Sequence, residues 1–426
     1  MASRYRDSLA YLYSLQLFGI KLGLRNIREL LKRVGQPQQG MRIVHIAGTN
    51  GKGSTAAALA AVLHSAGIRS GLYTSPHLHS FTERVRIDTR QIDEAEVVSL
   101  IEELRPHAEE LQATFFEFTT ALALLSFRRH EVDWAILETG MGGRLDATNV
   151  VLPELCVITP IACDHMAHLG SDLAEIAAEK AGIFKPGVPV LCAGQSPAAE
   201  AVLHLKAADL QLSLWQMGRD YHWSCTAGSL QVSGPGLDLT GIRPALAGEH
   251  QCGNLALAAA ACACLAERGL PLDNADIKTG LERVRWPGRL EWLSDRILLD
   301  GAHNPDGARV LADFLRRQGL TGLQLIVGCK GDKQWRELLA LLLPFAARVY
   351  ATRPPVGDTV APEKLVQQAR ESGILAEVYA DPATALAAAR RNQPAEGIIL
   401  AAGSLFLVAA VREAAGADCR CLKIVD

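Results

Sequence analysis

The stretch HIAGTNGKGST (45–55) combines glycines, a lysine and two adjacent hydroxyls. Holding nucleotide phosphates takes backbone N–H groups converging at a helix start, glycines that allow a tight path, and a cation beside them. Gly48, Gly51, Lys52, Gly53, Ser54 and Thr55 supply these parts between a short apolar run, MRIVHIA (41–47), and a helical pattern, TAAALAAVLHSAG (55–67). The strict pattern G-x-x-x-x-G-K-[ST] is not met. Aligned on Gly51-Lys52, it puts Ile46 at the first glycine position and Gly53 at the hydroxyl position. The hydroxyl has slipped by one residue, so Ser54 and Thr55 are both candidates to face a magnesium ion. The bland alternative is a strand-to-helix turn with a solvated lysine; the strand–loop–helix setting favours phosphate binding.

Other chemistry-bearing residues follow. Glu138 ends the apolar run VDWAILE (132–138), and a carboxylate there points into the crevice where α/β sheets bind ligands. A hard oxygen donor suits magnesium shared with phosphates; a plain turn cap is the competing reading. His165 follows the run LCVITPI (155–161), and Lys180 lies in a helical pattern beyond it. Taken singly, such a histidine is usually structural and such a lysine solvated. Arg84 either meets an acidic substrate or is solvated at a strand edge, and Phe115, entering a helix, reads as core.

These residues need a sheet to position them. Apolar β-rich runs at 69–74, 132–138, 155–161 and 188–193 alternate with helical patterns, which predicts an α/β fold with a mostly parallel sheet. Leu24, Ile27, Leu30, Leu31 and Val34 predict an amphipathic helix ahead of the first strand. Residues 212–240 are turn-rich and partly alternating, as for a small β insertion. A second α/β series starts after RVRWPGR (283–289), with strands expected at 296–300, 323–328, 348–352, 376–380 and 397–403. Pro287-Gly288 is a natural break, so the expected domains are 1–285 and 286–426.

A chain of 426 residues exceeds what one core usually organises, which agrees with two domains. The formal charge of −3 gives no nucleic-acid footprint. The N-terminus lacks the apolar stretch of a secretory signal, and the longest apolar run, 255–266, is too short to span a membrane. Ten scattered cysteines have no metal-site spacing and read as reduced structural thiols. The expectation is a cytoplasmic protein with no membrane or nucleic-acid partner.

GTNGKGS (48–54) resembles the phosphate loop of the Mur ligase superfamily, and particularly that of folylpolyglutamate synthases, often bifunctional with dihydrofolate synthase. The departure from the strict pattern is that family's own version. YTSPHLHSFTERVRI (73–87), ETGMGGRLDATN (138–149) and DHMAHLG…EKAGI (164–183) resemble further family blocks. The resemblance implies a phosphate-loop ATPase domain carrying the folate site and a Rossmann-like C-terminal domain completing the ATP and glutamate site. It implies ATP contacts from Asn50, Gly51, Lys52, Gly53, Ser54, Thr55, Asn254, Arg289, Asp300 and His303, and magnesium, in two ions, held by Ser54, Ser75, Glu138, His165 and Lys180. It further implies carbamylation of Lys180 and folate contacts from Arg84, Thr114, Phe116 and Asp146.

The reaction implied is ATP-dependent amide formation through an acyl phosphate, adding L-glutamate to a folate or to dihydropteroate, with Lys52, Lys180 and His165 at the reacting centre and a monomer as the working form. Lys21, in FGIKLGLRNI (18–27), stands where some bifunctional members are acidic. The rivals are a nucleotide switch acting on proteins, a non-catalytic folate binder, and a peptidoglycan-precursor ligase. The SPHL and LDATN stretches favour folate.

Overall fold

The computed structural model describes residues 2–19, 23–419 and 422–425; Lys21 lies outside them. The first strand, β1 (Arg42–Ala47), is buried along almost its whole length because it runs mid-sheet. β2 (Ser70–Tyr73), β3 (Val85–Ile87), β4 (Arg90–Gln91), β5 (Trp134–Glu138), β6 (Leu155–Ile158), β7 (Val190–Cys192) and β8 (Leu214–Gln216) follow. Among the described residues they form one sheet in the order β4-β3-β2-β5-β1-β6-β7-β8. From β2 to β8 every neighbouring pair is parallel, while β3 and β4 turn back antiparallel at one edge.

The expected helix at 24–34 is present as Arg25–Arg33, burying Ile27, Leu30 and Leu31. Helix Lys52–Ser65 is buried from Ser54 to Leu63, sandwiched between the sheet and two later helices, Glu249–Glu267 and Asn274–Arg283. Its alanines allow that approach. A Cβ on Gly280 would lie 2.5 Å from the Val62 Cα, so these two helices meet backbone to backbone.

The segment 212–240 divides differently from expectation. β8 belongs to the main sheet, parallel to β7. Only β9 (His222–Thr226), β10 (Ser229–Gly234) and β11 (Leu237–Ile242) make a separate antiparallel sheet. Three residues are too few to announce a strand like β8 by periodicity.

The second series contains β12 (Glu291–Ser294), β13 (Ile297–Leu299), β14 (Leu323–Val327), β15 (Ala346–Ala351), β16 (Leu375–Val378) and β17 (Ile399–Ala402). Among the described residues the order is β12-β13-β17-β14-β15-β16, parallel except for β12. Beyond helix Leu405–Ala414 the chain returns to the first unit. Arg285 N donates to Ile424 O at 2.6 Å, Arg86 Nη1 donates to Leu422 O at 2.6 Å, and Ile424 is buried in the first unit's core. The tail therefore runs beside the linker between the two sheets.

Candidate active site

β1 enters its loop between β5 and β6, so the following helix starts in the crevice at the strands' C-terminal edge. Gly51 has φ 87°, and a Cβ there would lie 2.3 Å from Asn254 Oδ1. Only glycine meets both demands. A Cβ on Gly53 would lie 2.9 Å from the Trp286 ring. Lys52 Nζ donates to the carbonyls of Gly48 and Thr49, both at 3.1 Å. Burial lowers its pKa, opposed by Glu138 and Asp164. Asn50, Gly51, Lys52, Gly53 and Ser54 line a cavity of about 620 Å³. Thr55 is fully buried in the helix and is not among the lining residues, so of the two candidate hydroxyls Ser54 is the one facing the cavity.

Glu138, Ser75, His165 and Lys180 line this same cavity. Glu138 is 4% exposed, and its Oε2 accepts from Ser75 N at 3.1 Å. Burial raises its pKa, opposed first by Lys52. Lys180 is 3% exposed and donates to Gly48 O at 2.7 Å. Burial, then the Lys52 charge, pushes its ammonium down to about 7. His165 caps a short helix, Met166–Leu169, with φ 51°. Desolvation in the cleft, reinforced by Lys333 and His303 and opposed by Asp164, lowers its imidazole to about 4.

These donors bear on a metal. Among the described residues no three His, Cys, Asp or Glu side chains form a cage. Ser54, Ser75, Glu138 and His165 all line the cavity and are donors that could hold a magnesium ion taking its remaining ligands from phosphate and water. Lys180 fits such an ion only after losing its positive charge.

The second unit closes the cavity with Arg289, Asp300 and His303. Asp300 accepts from Leu290 N and Ala302 N, both at 2.9 Å, which fixes the turn carrying His303. Burial lowers the Arg289 pKa, opposed by Asp300 and Glu138. Among the residues that link the two units, Lys333 and Asp306 were not singled out in the sequence. Asp164 accepts from Lys333 Nζ at 2.7 Å and from Asn304 Nδ2 at 3.1 Å, and lies 3.5 Å from His303 Nε2. Burial raises the Asp164 carboxyl, but His303, His165 and Lys333 overcome this and hold it well below the usual carboxylate range. Asn50 Nδ2 donates to Asp306 Oδ2 at 2.8 Å. These contacts couple the two units directly.

A second cavity, about 600 Å³, adjoins the first and shares Ser75, Gly140, His165 and His303 with it. Arg84, Thr114, Phe116 and Asp146 all line it. Arg84 is 7% exposed; its Nε donates to His77 Nδ1 at 2.9 Å, and its guanidinium stands over the Phe115 ring at 5.2 Å. Phe115, read as core, thus faces this cavity. The Thr114 hydroxyl is engaged in capping helix Phe115–Arg129, donating to Glu117 Oε2 at 2.9 Å. Asp146 is similarly occupied: it accepts from Met141 N at 2.9 Å and Thr148 N at 3.0 Å. Burial still raises its pKa above the ordinary value.

Residues 46–263 match the Mur ligase middle domain, and residues 288–405 the Mur ligase glutamate ligase domain. The chain is 35% identical to the folylpolyglutamate synthase of Lacticaseibacillus casei over 96% of its own length and 98% of the relative's. Mycobacterium tuberculosis folylpolyglutamate synthase, solved with ADP and AMPPCP, superimposes with a TM-score of 0.88 at 32% identity, covering 97% of this chain and 99% of that one. The bifunctional folylpolyglutamate synthase/dihydrofolate synthase of Yersinia pestis, solved with AMPPNP and a manganese ion, gives 0.86 at 33% identity over 97% and 98%. A glycine loop running into a buried lysine, two joined cavities and this likeness along the whole chain lead to one assignment: the chain belongs to the folylpolyglutamate synthase family of Mur ligases, which are ATP-dependent ligases.

Proposed function

We propose that the chain joins L-glutamate to the terminal carboxylate of a folate, with ATP as co-substrate. The observation that carries this reading is the shared wall between the two cavities. An acid lying in the second cavity presents its carboxylate at Ser75, Gly140, His165 and His303, beside the phosphate loop of the first.

Resonance makes a carboxylate a poor electrophile. Its oxygen attacks the γ-phosphorus of ATP, ADP leaves, and the resulting acyl phosphate carries a good leaving group. The amine of glutamate then attacks the acyl carbon, phosphate departs, and the amine's extra proton passes to solvent or phosphate. Lys52 and Arg289 face the growing charge on the phosphates, the term that dominates such transfers. Asn50, Gly51, Gly53 and Ser54 present the loop to the phosphates, with Asn254, Asp300 and His303 shaping the far wall. Magnesium, when bound at Ser54, Ser75, Glu138 and His165, screens phosphate charge. Contacts of Asp164 with Lys333 and Asn304 hold the second unit over the site, which keeps water from the acyl phosphate.

The lowered pKa of Lys180 supports its carbamylation. A lysine lowered to about 7 is largely neutral at mildly alkaline pH. Its nitrogen can then attack carbon dioxide, and loss of a proton leaves a carbamate of charge −1. That group would accept hydrogen bonds or a metal where the ammonium now donates to Gly48 O.

In the second cavity, Arg84 supplies a buried positive charge for an acidic substrate, Phe116 a flat apolar face, and Asp146 and Thr114 a polar rim. Residues 1–285 carry the nucleotide loop and acid-binding cavity, and 286–426 close them. Among the described residues no helix is long and apolar enough to cross a membrane.

Incubation with ATP, magnesium, glutamate and either tetrahydrofolate or dihydropteroate, with products resolved by mass, tests the reading. A product one glutamyl residue heavier supports it, and the substrate that yields it separates chain extension from first addition. ADP release that ignores both glutamate and pterin would favour the nucleotide-switch reading instead.

A further inference from the structure

The small antiparallel sheet carries a side chain that the nucleotide site leaves unused. Cys225, on β9, and Cys252, in the first turn of helix Glu249–Glu267, place their sulfurs 2.8 Å apart. Two unbonded sulfurs ordinarily stand farther apart, and a disulfide bond measures about 2.0 Å. Cys252 is buried, while Cys225 is only partly covered. A second contact fixes the same crossing. Trp223, on the same face of β9 as Cys225, lies 3.4 Å from where a Cβ on Gly253 would stand. Strand and helix both continue into the nucleotide cavity, through Trp223 on one side and Gly253 and Asn254 on the other.

We propose that Cys225 and Cys252 are a reversible thiol–disulfide pair that clasps β9 to the helix carrying Asn254 and so slows nucleotide release under oxidising conditions. The oxidant is a low-molecular-weight disulfide such as oxidised glutathione. The Cys225 thiolate attacks one of its sulfurs, the reagent's S–S bond breaks, and one thiolate leaves. Cys252 then gives its proton to water and attacks the Cys225 sulfur, expelling the second thiolate. The protein loses two protons and two electrons, and the reagent becomes two thiols. Partial exposure makes Cys225 the attacking group and the buried Cys252 the resolving one, and burial, with Cys225 alongside, pushes the Cys252 thiol up to about 12.

The clasp joins residues 27 apart in sequence, so it restricts the unfolded chain as well as the wall of the cavity. The test uses the full-length protein, treated with oxidised glutathione in mildly alkaline buffer and digested without reduction. Peptide mapping is expected to recover Cys225 joined to Cys252, two hydrogens lighter than the thiol pair and restored by dithiothreitol. The linked protein should melt several degrees higher and release ADP about twofold or more slowly. C225S should show none of these changes while keeping its basal activity. Recovery of both residues as free thiols or glutathione adducts overturns the proposal. So does a linked protein with unchanged melting and ADP release. Mapping on the unaltered chain decides the matter even where C225S folds poorly, and neither outcome depends on which acid the enzyme uses.

Discussion

Lys52 and Lys180, 128 residues apart in sequence, donate to the same atom: the carbonyl oxygen of Gly48 receives them at 3.1 and 2.7 Å. Two ammonium groups on one buried acceptor repel each other, which is why the Lys52 charge adds to burial in lowering Lys180. The phosphate loop thus has a built-in excess of positive charge that anionic phosphates relieve.

The first prediction follows from that crowding. The folded pKa of Lys180, about 7, lies below its ordinary value of 10.5. Between these two values the unfolded chain holds a proton that the folded chain has lost, so stability rises with pH across that window. The cost of burying the charge is complete below pH 7. Lys180→Met removes the cost, so in CO₂-free buffer the variant should be more stable than the parent at pH 6, with the gap closing towards pH 10. The slope is at most about 1.4 kcal/mol per pH unit. Chemical denaturation at several pH values checks it; a gap that widens with rising pH would contradict it.

Gly51→Ala is expected to damage nucleotide binding twice over. The new Cβ meets Asn254 Oδ1, and φ of 87° is strained for alanine. ADP affinity measured by calorimetry should fall about tenfold or more, with Asn254→Ala in the same chain restoring only part of it because the backbone strain remains.

The Asp164–Lys333 pair joins the two units at 2.7 Å, with both side chains under 10% exposed, at 9% and 8%. Removing Lys333 leaves the Asp164 carboxylate with Asn304 and His303 still beside it, so the loss should fall below the roughly 3–5 kcal/mol of a buried charge left wholly unpaired. Lys333→Met should therefore lower the melting temperature and cut ligase turnover, and Asp164→Asn with Lys333→Met should recover part of the lost stability. Strict additivity of the two single effects in a double-mutant cycle would show that the pair is not coupled.

His77 orients Arg84 by accepting its Nε–H. Burial first, then Arg84, lowers the imidazole to about 3, so it remains a neutral acceptor across the working pH range. His77→Ala frees the guanidinium to swing, and the expected result is a KM for the folate raised about fivefold or more, with the KM for ATP nearly unchanged. Equal changes in both would place His77 outside the acid-binding role.

Much of this site was legible in the sequence because its residues stand at strand ends within short contiguous stretches. Gly51, Lys52, Glu138 and His165 each follow an apolar run that fixes where the crevice must be. Lys180 was legible only through family resemblance, since a lysine in a helix carries no pattern of its own. Asp164, Asn304 and Lys333 act as a unit only after two distant segments meet, and no local spacing encodes that meeting. His77 was hidden in a proline turn, and Phe115 looked like core because an aromatic entering a helix normally is. Thr55 and Ser54 could not be separated without the helix rotation that buries one and exposes the other. The returning tail was equally silent: Ile424 fills a core built more than a hundred residues earlier.

The central claim is that a folate carboxylate is activated by transfer of the γ-phosphoryl group at the wall the two cavities share. Folate labelled with oxygen-18 in its terminal carboxylate, turned over with ATP and glutamate, tests this most directly. The account predicts that one labelled oxygen per turnover appears in the released inorganic phosphate. Label absent from the phosphate while the glutamyl product accumulates would contradict it.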